Sequence, residues 1–143
     1  MGNSLMSNNI SQYNQVDRFS GVTEADPHRL VLMLLQGAIS KIAIVKGLMI
    51  RKEVAKKGEL IGQSIAIVGG LKSSLDKEAG GEIATNLDNL YEYIEHRLLT
   101  ANLKNDVSIL DEVSKLLHEV KAGWELIPTE LRTSTSTNIS VAS

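Results

Sequence analysis

Three histidines and one acidic cluster are the residues of this chain whose types could do chemistry. A carboxylate-bridged di-metal site in a helical bundle needs inward glutamates and a Glu-x-x-His pair on each of two helices. The residues three before His28, His96 and His118 are Ala25, Tyr93 and Lys115, so that motif does not occur. Glu92, Glu95 and His96 stand beside one another on a helical period but read as a solvated face, and no metal site is expected. His118, followed by Lys121 and Ala122, has the spacing of a histidine phosphotransfer domain, which also uses a helical bundle. Pro128 follows ten residues later, closer than a mid-helix phosphoryl acceptor would have it. Phosphorelay through His118 is therefore carried as the alternative function. Gly69-Gly70 and Gly80-Gly81 have neither a preceding strand nor a phosphate-loop pattern, and no nucleophile elbow exists. The expectation is a protein that is not an enzyme and carries no cofactor.

The chain that would position such residues has 143 of them, 43% apolar and 22% charged, enough for one buried core. A net charge of −2 provides no basic field for a phosphate backbone, which argues against nucleic acid. The lack of cysteine excludes disulfides and thiolate sites and permits a reducing compartment, so a cytoplasmic (cytosolic) location is expected. The longest apolar run, Leu30 to Leu35, is six residues, and no membrane insertion is expected.

Helical periodicity accounts for the middle of the chain. Asp26-Pro27 reads as an N-cap and first helical residue, and Pro128 as a stop. Four stripes follow at alternating steps of three and four. Val31, Leu34, Ala38, Ile42, Val45 and Met49 mark a helix from about 27 to 49; Val54, Gly58, Ile61, Ile65, Val68, Leu71 and Leu75 a second from 53 to 75. Ile83, Leu87, Leu90, Ile94, Leu98 and Ala101 mark a third from 82 to 103; Val107, Leu110, Val113, Leu117, Val120, Trp124 and Ile127 a fourth from 107 to 127. Short turns between long helices predict an all-α, antiparallel, up-down-up-down four-helix bundle over residues 26–127. Residues 10–20 space Ile10, Tyr13 and Val16 along one edge of a short cap helix; residues 1–9 and the Ser/Thr-rich 128–143 are expected to be disordered tails.

Two features exceed what a bundle needs. Gly58, Gly62, Gly69 and Gly70 interrupt the second helix, each at up to ~1 kcal/mol relative to alanine. Close helix packing or a shallow groove for an incoming chain would each offset that. Leu32, Met33, Ile44, Leu48, Leu60, Ile67, Tyr91, Leu99, Ile109 and Leu116 lie off the single stripes, and those that do not widen the core would leave an apolar surface for a partner helix.

The segment Gly80-Gly81-Glu82-Ile83-Ala84-Thr85-Asn86-Leu87, with Leu90-Tyr91 and Tyr93, resembles the third helix of the FliS family of flagellin export chaperones. Tyr13-Asn14-Gln15-Val16, Pro27-His28-Arg29-Leu30 and Gly37-Ala38 upstream are similar to its opening motifs, and Arg97-Leu98-Leu99, Ala101-Asn102, Asn105-Asp106 and Trp124 continue the match. Leu35-Gln36 departs from the Tyr-Asp that many members carry. The resemblance implies a chaperone for the disordered C-terminal segment of flagellin, preventing premature polymerisation and handing its cargo to the flagellar type III export gate. A homodimer is left open. It also implies that Ile10, Tyr13 and Val16 cap the bundle and influence binding, and we place the partner-binding groove at Gly58, Ile61, Ile65 and Ile67 with Asn86, Asn89 and Tyr93.

Overall fold

The structure, a computed structural model, describes residues 26–127. The expected tails and the cap residues Ile10, Tyr13 and Val16 lie outside the described residues. Four helices occupy the described chain: α1 Pro27–Ile50, α2 Val54–Ser73, α3 Lys77–Lys104 and α4 Val107–Glu125. Each packs on the two that adjoin it in a closed ring, α1 on α2 and α4, α3 on α2 and α4. This is the all-α bundle that the four stripes predict.

Local chemistry sets the boundaries. The Asp26 carboxylate accepts from the Arg29 N–H at 3.2 Å and Pro27 follows as first helical residue, with no N–H to leave unsatisfied. Asp76 and Asp106 cap α3 and α4 in the same way, accepting from the N–H groups of Ala79 and Ser108. At the end of α1 the Lys52 N–H returns to the Met49 carbonyl and the Glu53 N–H to that of Leu48, with Lys52 left-handed at φ 60°. That is a Schellman closure with lysine where glycine is usual. α3 begins five residues before the periodicity suggests, because Lys77 to Gly80 form a first turn that breaks at Gly81. At φ 56° and ψ −131° Gly81 occupies backbone space that a side chain makes costly, so glycine is what lets the chain bend there.

The core is built from the predicted stripes. Ile42, Val45, Ile61, Val68, Leu71, Ile94, Leu98, Leu110, Val113 and Leu117 are fully buried, and each large side chain among them contributes about 1.5–3 kcal/mol by leaving water. On α1 it is Leu35 that is fully buried, while Leu34 packs against the cluster from its edge. Val54 and Ile83 leave their stripes for solvent: Val54 opens α2 at one end of the bundle, and Ile83 follows the break at Gly81 by two residues. α1 is long and apolar enough, by composition alone, to cross a membrane, but here that composition forms the bundle's most buried helix.

One polar clasp closes the end of the bundle where α1 begins and α4 ends. His28 is buried; its Nε2–H donates to the Trp124 carbonyl at 2.8 Å, and the Trp124 indole N–H donates to the His28 carbonyl at 3.0 Å. The two rings stack with centroids 5.2 Å apart. Ninety-six residues separate the partners, so this pairing converts the chain's first described turn and its last into one contact.

A candidate partner groove between α2 and α3

The seam between α2 and α3 is fixed by polar contacts at both ends. Lys57 reaches Asn102 and Asn105 at one end, and Lys72 reaches Glu92 at 3.4 Å and Glu95 at 3.6 Å at the other. A Cβ built on Gly69 would meet Glu95 Oε2 at 3.4 Å between them. These contacts set an antiparallel register in which Gly58 and Gly62 stand at the level of Leu103 and Leu99. On α2, Gly58, Gly62, Ile65 and Gly69 recur at steps of four, three and four and so share the face that turns toward α3. On α3, Glu95, Leu99 and Asn102 share the face that turns toward α2.

This seam is open. A Cβ on Gly58, Gly62 or Gly70 would meet nothing within 4 Å, so close helix packing is not what these glycines serve. Beside them Leu99 is 50% exposed, Leu103 84% and Val54 68%, while Ile65 is half-buried against the core. These residues make an open strip, the trough, in which glycines alternate with half-buried Ile65 and exposed Val54 and Leu99, running along α2 from Val54 to Gly69. At 1.5 Å per residue that is ~20 Å, room for about four turns of a partner helix. Its far rim is charged. Partial desolvation pulls the Lys72 ammonium down, but the hydrogen bond and charge of Glu92, backed by Glu95 and Asp88, outweigh it and hold its pKa above the usual lysine value.

The residues singled out from sequence divide among three places. Gly58 and Ile65 lie in the trough, and Ile61, 2% exposed, lies beneath it in the core. Ile67 is buried on the α1 side, its Cδ1 3.7 Å from where a Gly37 Cβ would stand. Asn86, Asn89 and Tyr93 are all exposed, yet not on this seam: Tyr93 faces α4, where its hydroxyl donates to Glu112 beside the Arg97 Nε at 3.0 Å from the same carboxylate. Asn86 shares that side of α3, and Asn89 points between the seams. The bond from Tyr93, helped by Arg97, holds Glu112 below the usual carboxylate range and raises the Tyr93 phenol. The sequence offers Gly62 only as one of the α2 glycines that a groove could explain, and it does not foretell the exposure of Val54 and Leu103 beside it. The signal available was a second apolar pair, Leu99 and Leu103, four apart and off the core stripe.

Among the described residues no group of three or more His, Cys, Asp or Glu side chains could hold a metal ion. His118 is exposed, with its Nδ1–H donating to the Ser114 carbonyl at 2.9 Å. That exposure is compatible with a phosphorelay as well as with an ordinary surface histidine.

Comparison with known proteins points to one family. The family model described as flagellar protein FliS matches residues 7–130. The flagellar secretion chaperone FliSB of Pseudomonas aeruginosa is 52% identical over 81% of this chain and 92% of its own length. The flagellar secretion chaperone FliS of Salmonella typhimurium is 44% identical over 82% of this chain and 88% of its own. That of Vibrio cholerae is 35% identical over 95% of this chain and its entire length.

Proposed function

Because this chain belongs to the FliS family of flagellar secretion chaperones, we propose that it holds the C-terminal, otherwise disordered segment of flagellin, with the α2–α3 trough as one of its seats. A segment that folds as it binds must cover its own ordering cost, which calls for apolar contact along an extended surface. The single observation that carries the reading is the open glycine floor at Gly58 and Gly62 beside exposed Leu99 and Leu103. A bundle gains nothing from glycines that no neighbour approaches, whereas an incoming helix gains close backbone contact from them.

In this reading the chaperone works in the cytoplasm, keeps flagellin from polymerising early by covering the segment that would pair with other subunits, and delivers it to the flagellar export gate. The N-terminal residues Ile10, Tyr13 and Val16 join or compete with that cargo. Asn86 and Tyr93 on the α4 side of α3, with Asn89 on its outer face, form a separate polar contact line. Isothermal titration of the C-terminal flagellin segment against the chain tests this: saturable binding at or below micromolar concentration is expected, and no heat or mobility change in that range refutes it. Removal of residues 1–20, and Tyr13→Ala within the full chain, should each change the affinity; identical binding in all three would dismiss the role of the N-terminal segment. Phosphoryl transfer to His118 would restore the relay alternative.

A further inference from the structure

Lys57 is a buried cation whose role the bundle core does not explain. It is 7% exposed, and among the described residues no carboxylate lies within ion-pair distance of it. A lysine taken out of water needs its three protons satisfied. Its Nζ donates to the Asn102 carbonyl at 3.1 Å and to the Asn105 side-chain Oδ1 at 3.2 Å. Asn102 belongs to the last turn of α3, where carbonyls have no N–H four residues on, and the negative end of that helix faces the ammonium. Asn105 is held left-handed at φ 53° and ψ 47°, and the Asp106 N–H returns to the Ala101 carbonyl at 3.2 Å. A single ammonium thus ties the first turn of α2 to the last turn of α3.

The chain neighbours of this tie are trough residues: Gly58 follows Lys57, and Leu103 follows Asn102. We infer that Lys57, through Asn102 and Asn105, is a positioning residue for the partner groove, setting the separation of α2 and α3 at the end where Gly58 and Leu103 stand. This inference rests on the reading of the trough as a flagellin seat. Above the tie Gly58 and Gly62 put no side chain into the outer edge of the seam, so that edge is braced only by the core beneath it and by the polar contacts at its ends. Fixing their spacing before cargo arrives removes a cost that binding would otherwise meet.

Affinity for a peptide of the C-terminal flagellin segment, measured by calorimetry well below every variant's melting temperature, tests it. Asn105→Gly keeps the left-handed backbone and removes the acceptor; Lys57→Met keeps the stem and removes the ammonium. Each should weaken Kd by about three- to tenfold. Asn105→Asp, which restores an acceptor, should return it to near the native value. Trp124→Phe loses a hydrogen bond at the opposite end of the bundle and should leave Kd unchanged. Native affinity in both Asn105→Gly and Lys57→Met overturns the inference, as does equal weakening in Trp124→Phe, which would make the effect one of global stability. If Lys57→Met does not fold, Asn105→Gly alone decides. Absence of binding by the native chain is a distinct result, which overturns the flagellin reading and the inference with it.

Discussion

Replacing Gly58 and Gly62 together by alanine should make the bundle more stable and a poorer host. A glycine in a helix interior costs up to about 1 kcal/mol relative to alanine, because its backbone loses more freedom on folding. A Cβ at either site would meet no heavy atom within 4 Å, so no clash offsets the gain. The pair should therefore add about 1–2 kcal/mol, which in a bundle of this size raises the melting temperature by about 4–8 °C per kcal/mol. Urea titration followed by circular dichroism should show a higher midpoint with an unchanged slope, since the surface exposed on unfolding hardly differs. Two methyl groups on the trough floor would at the same time hold a partner backbone away. Gly62→Leu sharpens the contrast, since leucine is a good helix former with a side chain that fills the trough. Stability up and flagellin affinity down is a combination that misfolding cannot imitate. A fall in stability would show that the glycines are packed after all; higher stability with native affinity would show that the trough is not where cargo sits.

Three further outcomes follow from polar contacts elsewhere. In a double-mutant cycle, His28→Ala and Trp124→Ala should be non-additive by about 0.5–3 kcal/mol in urea denaturation, because the two side chains stack directly and each also bonds the other residue's backbone carbonyl. Burial raises the Tyr91 phenol from 10.0 to about 12, so the stability that its neutral form contributes is complete below pH 10 and is lost as pH rises toward 12. The loss is about 2–3 kcal/mol, and Tyr91→Phe, compared with the native chain in urea at pH 9 and pH 11.5, should abolish it. At the acid end Glu112, bonded by Tyr93 and Arg97, and Asp106, bonded by the Ser108 hydroxyl and backbone, both sit below their ordinary values of 4.5 and 3.8. Their contribution is present above those values and disappears as pH falls through the lowered ones. Glu112→Gln should flatten the acid limb of a melting-temperature profile below pH 4.5.

How legible this was in the sequence depends on what each residue has to satisfy. Ala38, Ile42, Val68, Leu98 and Leu117 recur on helical periods because a bundle core must be continuous, and their spacing alone placed them inside. The capping role of Asp26 was equally readable, since a short acceptor before an apolar period has few other uses. Residues at helix ends were not: Val54 and Ile83 continue their stripes in sequence but stand where the bundle has no further layer to cover them. The groove was half legible. The glycines of α2 pointed to something unusual, but whether they served packing or an opening depends on how near α1 and α3 come, which no single-helix pattern contains. Tyr93 was placed in the groove from its type and helix, yet one helical face apart from Glu95 and Leu99 is enough to put it on the α4 seam. Lys57 gave no signal at all, because a lysine buried against another helix's last carbonyls looks in sequence like any surface lysine.

The central claim is that cargo lies in the trough between α2 and α3, and backbone amide shifts measured by NMR during titration with the C-terminal flagellin segment test it most directly. The largest changes should fall at Gly58, Gly62, Ile65 and Gly69 on α2 and at Leu99 and Leu103 on α3. Changes confined to the α1–α4 seam, or to Asn86, Tyr93 and Glu112 on the α3–α4 seam, would contradict it.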